Sequence, residues 1–129
     1  MKTIRLIALI AVVAVASSLS SANAAEGSGK LRHVVCFKFK PDATPEQIKK
    51  VEQDFAALKG KISQIASLEW GVNCSPEKYD KGFTHCFTLT FNCAADRDAY
   101  LPHPAHKAFG KSLGGIIADV FFVDYAIKE

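Results

Sequence analysis

Beyond its first residues the chain has no apolar run of the roughly 20 residues that spanning a bilayer requires, and it shows little charge imbalance, with 16 basic residues against 13 acidic ones. Nothing in that balance selects nucleic acid or an anionic membrane as a partner. Several chemistries lack their starting motifs. The four cysteines, Cys36, Cys74, Cys86 and Cys93, include no C-x-x-C and none of the short-spaced pairs that a structural zinc site needs. There is no glycine-rich phosphate loop, no nucleophile elbow around Ser75 or Ser112, and no glutamate beside the histidines of a helix. Cys86 adjoins His85, but neighbours along a strand point to opposite faces, so the two do not make a nucleophile and base pair. No cofactor and no resident metal are expected.

What is present begins with a leader. Lys2 and Arg5 form a short basic start, Leu6 to Ala16 follows without a charge, and Ala22-Asn23-Ala24 is a site for signal peptidase, which predicts cleavage after Ala24. The product is expected to be soluble and exported, periplasmic or secreted, with an uncleaved membrane anchor as the alternative. Loss of Lys2 and Arg5 brings basic and acidic residues almost level. The expected division is residues 1–24 as signal, 25–30 as a Gly/Ser-containing tether, and 31–129 as one domain, whose thin core would gain from burial against a partner. In an oxidising compartment the four cysteines allow three pairings; they are read either as carrying at least one disulfide or as reduced, mostly buried thiols.

Along the domain the hydrophobic period changes repeatedly. Leu31 to Phe39 alternates, with His33, Val35, Phe37 and Phe39 on one face and Val34, Cys36 and Lys38 on the other. Pro41-Asp42 breaks that strand, and Thr44-Pro45-Glu46-Gln47 supplies an N-cap, a first-turn proline and a capping-box glutamine. Ile48, Val51, Phe55, Leu58, Ile62 and Ile65 then draw a helical stripe of about five turns, unless Gly60 ends it early. Strands are predicted at Ser67–Cys74 and Phe83–Phe91, the latter with His85, Phe87, Leu89 and Phe91 on one face. A short helix follows at Ala94–Leu101, a second from Pro104 to about Ile117, and a last strand at Val120–Ile127.

The order strand, helix, strand, strand, helix, strand is the split βαβ pattern of an α+β, ferredoxin-like fold: a four-stranded antiparallel sheet with helices on one face. Val34-Val35 and Phe121-Phe122-Val123 put apolar residues on both faces of the first and last strands, which a one-sided sheet would expose. A second copy covering the open face with its own sheet resolves this and predicts a homodimer. The alternative is a monomer with an apolar patch.

The histidines suggest a site. His33 and His85 lie on phenylalanine-bearing strand faces, and His106 lies on the buried stripe of the last helix with Phe109. Packed together, these elements are expected to gather three imidazoles in one pocket with Tyr100 beside them. Phe37, Phe87 and Phe109 would help bind a small organic ligand. Imidazoles trade protons near neutral pH, and a phenol can orient one or bind a carbonyl oxygen. Three imidazoles also suit zinc or copper, though no carboxylate is evidently placed to assist. His103, before Pro104, reads as a cap. The competing class is a non-catalytic protein whose histidines are structural.

Arg32-His33-Val34-Val35-Cys36-Phe37-Lys38-Phe39-Lys40, Gly82-Phe83-Thr84-His85 and, above all, Ala99-Tyr100-Leu101-Pro102-His103-Pro104-Ala105-His106 with Phe109 resemble the stress-responsive α/β-barrel (Dabb) proteins over nearly the whole domain. The resemblance implies a ferredoxin-like homodimer whose two sheets close into a barrel. It extends to a plant branch of polyketide cyclases, in which a histidine acts as acid and base beside a tyrosine. On the matching motif the resemblance implies His106 and Tyr100 as the catalytic pair, with His33 and His85 binding the substrate at the pocket. The leader sets this chain apart from that branch, whose polyketide thioester substrates are cytosolic.

Overall fold

Period-two alternation and a single strong helix cap position most of the molecule. In a computed structural model describing residues 29–128, Leu31–Phe39 forms β1 and buries His33, Val35 and Phe37 while its alternate residues stay half-exposed. The leader, the cleavage site after Ala24 and most of the tether lie outside the described residues. Helix α1 spans Pro45–Lys61. Thr44 Oγ1 accepts from the Gln47 backbone N–H at 3.2 Å while Gln47 Oε1 accepts from the Thr44 N–H at 2.9 Å, which satisfies two of the donors a helix start leaves open.

Chain order continues with β2 (Ser67–Val72), β3 (His85–Phe91), α2 (Ala94–Tyr100), α3 (Pro104–Ser112) and β4 (Ile117–Ala126). The strands lie in the order β2-β3-β1-β4, antiparallel throughout. Five boundaries differ from expectation by more than one residue. Gly60 is accommodated in the last turn of α1, but the chain turns extended at Ile62, and Ile62 and Ile65 complete the apolar stripe from the following turn. Helix α3 stops at Ser112 and not near Ile117, because Gly114-Gly115 follows and Gly115 takes φ +91, a left-handed conformation that glycine adopts without penalty. Strand β4 consequently begins at Ile117, three residues earlier than the periodicity indicates. The turn between β2 and β3 takes residues from both, ending β2 at Val72 and delaying β3 to His85.

The helices sit on the face that carries Phe37 and Phe87. Phe55 of α1 reaches down between them, stacked on Phe87 at 4.0 Å and 5.9 Å from Phe37, with Phe109 of α3 at 4.9 Å on its other side. Burial of each such ring contributes about 1.5–3 kcal/mol, so this four-ring cluster is the centre of the core. The opposite face carries Val34, Cys36, Cys86, Thr88, Phe121 and Val123. Among the described residues no helix covers it, and Phe121 is 53% exposed. The helices also stop short of β4, an edge strand, which leaves Phe122 on the helix side 56% exposed. Among the described residues no helix is long and apolar enough to cross a membrane.

Candidate functional site

Helix α2 ends at Tyr100 because Pro102 cannot continue it, and α3 restarts four residues later with Pro104 in its first turn. His103 caps the restart, its Nδ1 accepting from the Ala105 N–H at 3.1 Å. One turn into α3, His106 faces back toward α2. Its Nδ1 lies 2.9 Å from the Leu101 carbonyl oxygen. A carbonyl only accepts, so Nδ1 carries the proton and a neutral ring keeps its lone pair on Nε2. The imidazole packs on Tyr100 with ring centroids 4.4 Å apart.

Tyr100 is 1% exposed and meets His33 on its other side at 5.8 Å. Burial pushes the phenol well above its ordinary range, so it is neutral and keeps an O–H able to donate. His33 is held from β4, since the antiparallel register sets it directly across from Asp124. His33 Nδ1 donates to Asp124 Oδ1 at 2.5 Å, and Arg97 Nη1 of α2 donates to Oδ2 at 2.6 Å. Burial by itself would raise the Asp124 carboxyl, but the hydrogen bonds and positive charge of His33 and Arg97 outweigh it and hold the group below the usual carboxylate range. Arg97 is pushed up in turn, chiefly by its bond to Asp124 and then by that to Asp98. The result is a chain Arg97–Asp124–His33–Tyr100–His106 in which both imidazoles present Nδ1 to protein acceptors, leaving Nε2 for other work.

His85 does not join this cluster, which corrects the expected convergence of three imidazoles. In the β1/β3 ladder His33 pairs with Leu89 and His85 pairs with Phe37, so four residues of strand, about 13 Å, separate the two positions. His85 has its own carboxylate: Nε2 lies 2.9 Å from Glu52 Oε1 of α1, and Nδ1 lies 2.9 Å from Thr84 Oγ1. Phe39 and Trp70 flank the ring at 5.1 and 6.2 Å. Among the described residues no three His, Cys, Asp or Glu side chains form a group able to hold a metal ion.

The phenylalanines are also placed differently from expectation. Phe37 and Phe87 are 1% and 0% exposed in the sealed core, because Phe55 fills the space above them. Phe109 borders a small cleft of about 190 Å³ between α1 and α3. The larger cavity, about 850 Å³, lies on the open sheet face beneath the β2–β3 connection. It is lined by Cys36, Cys86, Thr88, Phe121, Trp70 and Tyr79 among others, with His85 and Thr84 contributing, and Tyr100, His33 and His106 are not part of it.

Asp124 and Glu52 were not among the expected site residues, yet each is hydrogen-bonded to one of the strand histidines. Each left a trace in the sequence. Asp124 is the one acid within the run Val120–Ile127, and Glu52 sits four residues after Ile48 and three before Phe55, on the flank of the buried stripe where it can reach the sheet.

The Stress responsive A/B Barrel Domain pattern matches residues 31–127, nearly every described residue. The chain belongs to that family. This member is 32% identical over 100 residues to the stress-response A/B barrel domain-containing protein HS1 of Arabidopsis thaliana, covering 78% of this chain and 92% of that protein. It is 25% identical over 99 residues to olivetolic acid cyclase of Cannabis sativa, covering 77% and 98% respectively. Among solved structures, a hydroxynitrile lyase from Passiflora edulis superposes with a TM-score of 0.74 at 25% identity, over 79% of this chain and 96% of that one. A dimeric protein of unknown function and ferredoxin-like fold from Bacteroides fragilis does so with a TM-score of 0.63 at 30% identity, over 78% and 99%. The α+β, ferredoxin-like fold of the dimeric α/β barrels, expected from element order, is the fold of this A/B barrel domain.

Proposed function

We propose that the protein is an exported homodimer that binds a small organic molecule beside Tyr100 and moves a proton on it with His106. One observation carries the reading: Tyr100 is clasped between two imidazoles whose Nδ1 atoms are both engaged, by Leu101 and by Asp124. That arrangement leaves His106 Nε2 as a base and the neutral phenol as a donor to a developing oxyanion, the pairing that abstraction of a proton next to a carbonyl requires. Two relatives by fold and sequence are enzymes by name, a cyclase and a lyase, which supports acid/base chemistry on this scaffold. The substrate class is a small carbonyl compound with an acidic C–H.

The experiment is deuterium exchange at the α-carbon of a panel of small ketones and β-keto acids, followed by proton NMR with wild type, His106→Ala and Tyr100→Phe. Protein-dependent exchange that both substitutions abolish, with the melting temperature of His106→Ala unchanged, supports the proposal. Exchange that survives both substitutions refutes it.

Homodimerisation is supported by the apolar residues of β4 and by dimeric relatives of the same fold. Light scattering on the purified protein tests it, and a monomer at micromolar concentration counts against it. Export rests on the leader, and a mature N-terminus at Ala25 is the expected mass-spectrometric result. A second reading, a non-catalytic stress or envelope protein, draws on the burial of Tyr100 and His33, at 1% and 5% exposure. On that reading His106→Ala lowers the melting temperature and no exchange is found.

A further inference from the structure

Two of the four cysteines stand in a relation that their sequence spacing conceals. The β1/β3 register sets Cys36 directly across from Cys86. Both belong to the uncovered face of the sheet, where they line the floor of the 850 Å³ cavity. Directly opposed residues of an antiparallel ladder lie about 4.5–5.5 Å apart at Cα, inside the roughly 4.4–6.8 Å window that a disulfide spans without backbone movement. All four cysteines are free thiols in this structure. Cys74 lines the same cavity from the β2–β3 connection, and Cys93 caps the start of α2, so neither occupies a ladder position opposite another cysteine.

We propose that Cys36 and Cys86 close into an intramolecular disulfide that ties β1 to β3 across the cavity floor, formed by exchange with glutathione disulfide and reversed by excess thiol. The environments of the two thiols fix the order of attack. Cys86 is exposed and Cys36 half-buried; burial, with the Cys86 hydrogen bond and charge added, pushes the Cys36 thiol up to about 11, so Cys36 makes the poorer first nucleophile. The Cys86 thiolate attacks one sulfur of glutathione disulfide, forming a mixed disulfide and expelling one glutathione thiolate. Cys36 then gives up its proton and attacks the Cys86 sulfur, expelling the second glutathione. Two protein thiols lose two electrons and two protons in total, and one glutathione disulfide becomes two glutathiones. The bond forms in the free protomer, where the face is open, and a second copy then closes over it.

The test uses protein purified under reducing conditions, freed of reductant, incubated with glutathione disulfide and quenched with N-ethylmaleimide. Cys86 and Cys93 share the tryptic peptide Gly82–Arg97, so the wild type is analysed beside a Cys74→Ser/Cys93→Ser variant, in which a link from His33–Lys38 to Gly82–Arg97 has one interpretation. The expected results are that linked peptide in both proteins, an intact mass two hydrogens below the reduced form, and migration as a single chain on a non-reducing gel. Cys36→Ser is expected to stop at one glutathione on Cys86. Cys36 remaining fully alkylatable, or Cys86 linked to Cys74 or to a second copy of the chain, would overturn the proposal.

Discussion

Substituting Asp124 with asparagine keeps the shape of the side chain and removes its charge, which isolates what the carboxylate does for His33. In the native structure Asp124 accepts two charge-assisted bonds, from His33 at 2.5 Å and from Arg97 at 2.6 Å. Hydrogen bonds to charged groups contribute about 1.5–3 kcal/mol each when shielded, whereas exposed pairs contribute about 0–1. The His33 side chain is 7% exposed and belongs to the first case, while Asp124 and Arg97, at 28% and 24%, lie nearer the second. The loss in Asp124→Asn therefore comes to about 2 kcal/mol, which for a domain of this size lowers the melting temperature by about 10 °C. The sign of the pH dependence follows from the depressed carboxyl: its stabilisation is complete above the unfolded-state carboxylate value and is lost as pH falls through the lower folded-state value. Calorimetric melts from neutral to acid pH should thus show wild type and variant far apart near neutrality and converging in acid. A melting temperature within a degree of wild type at neutral pH, or a gap that does not narrow in acid, would refute the reasoning.

Phe55→Ala opens a hole between Phe37, Phe87 and Phe109, and a loss of about 3–5 kcal/mol is expected; chemical denaturation checks it, and a loss below about 1 kcal/mol would mean that the ring cluster is not the core. Thr44→Ala removes the side-chain half of the capping box and should cost about 1 kcal/mol, read as a lower denaturation midpoint at unchanged slope. Glu52→Ala leaves the His85 Nε2–H without its acceptor, at a cost of about 1–3 kcal/mol. Nitrogen NMR of the imidazole should then show the proton redistributing from Nε2 to Nδ1, and an unchanged tautomer would contradict the assigned pair.

Strand faces and the α1 cap were legible because each is a local pattern: two-residue alternation decides which side of the sheet His33 and His85 occupy, and Thr44-Pro45-Glu46-Gln47 decides where the helix starts. The end of α3 was obscured by the same kind of logic, since Leu113 and Ile117 continue the helical spacing across Gly114-Gly115 and disguise the turn. Tyr100 and His106 were legible as a pair because one short segment holds both and Pro102 folds it back on itself. His85 was misplaced because sharing a face says nothing about position along a strand, and only the register, Phe37 opposite His85, puts it at the far end. The carboxylates depend on still longer range: Asp124 lies 91 residues from His33 and Glu52 lies 33 from His85, separations at which no local period survives.

Strand β4 is both a flank and a hinge pin. Alternate residues of one extended segment supply the acid that aligns His33 and the bare aromatic rim at Phe121 and Phe122. Peeling that border strand would strip the imidazole of its anchor in the same motion, whereas a neighbour pressed against the rim would brace it. Quaternary contact and the alignment of His33 are thereby tied to one ribbon of backbone, and a lesion in either is felt by both.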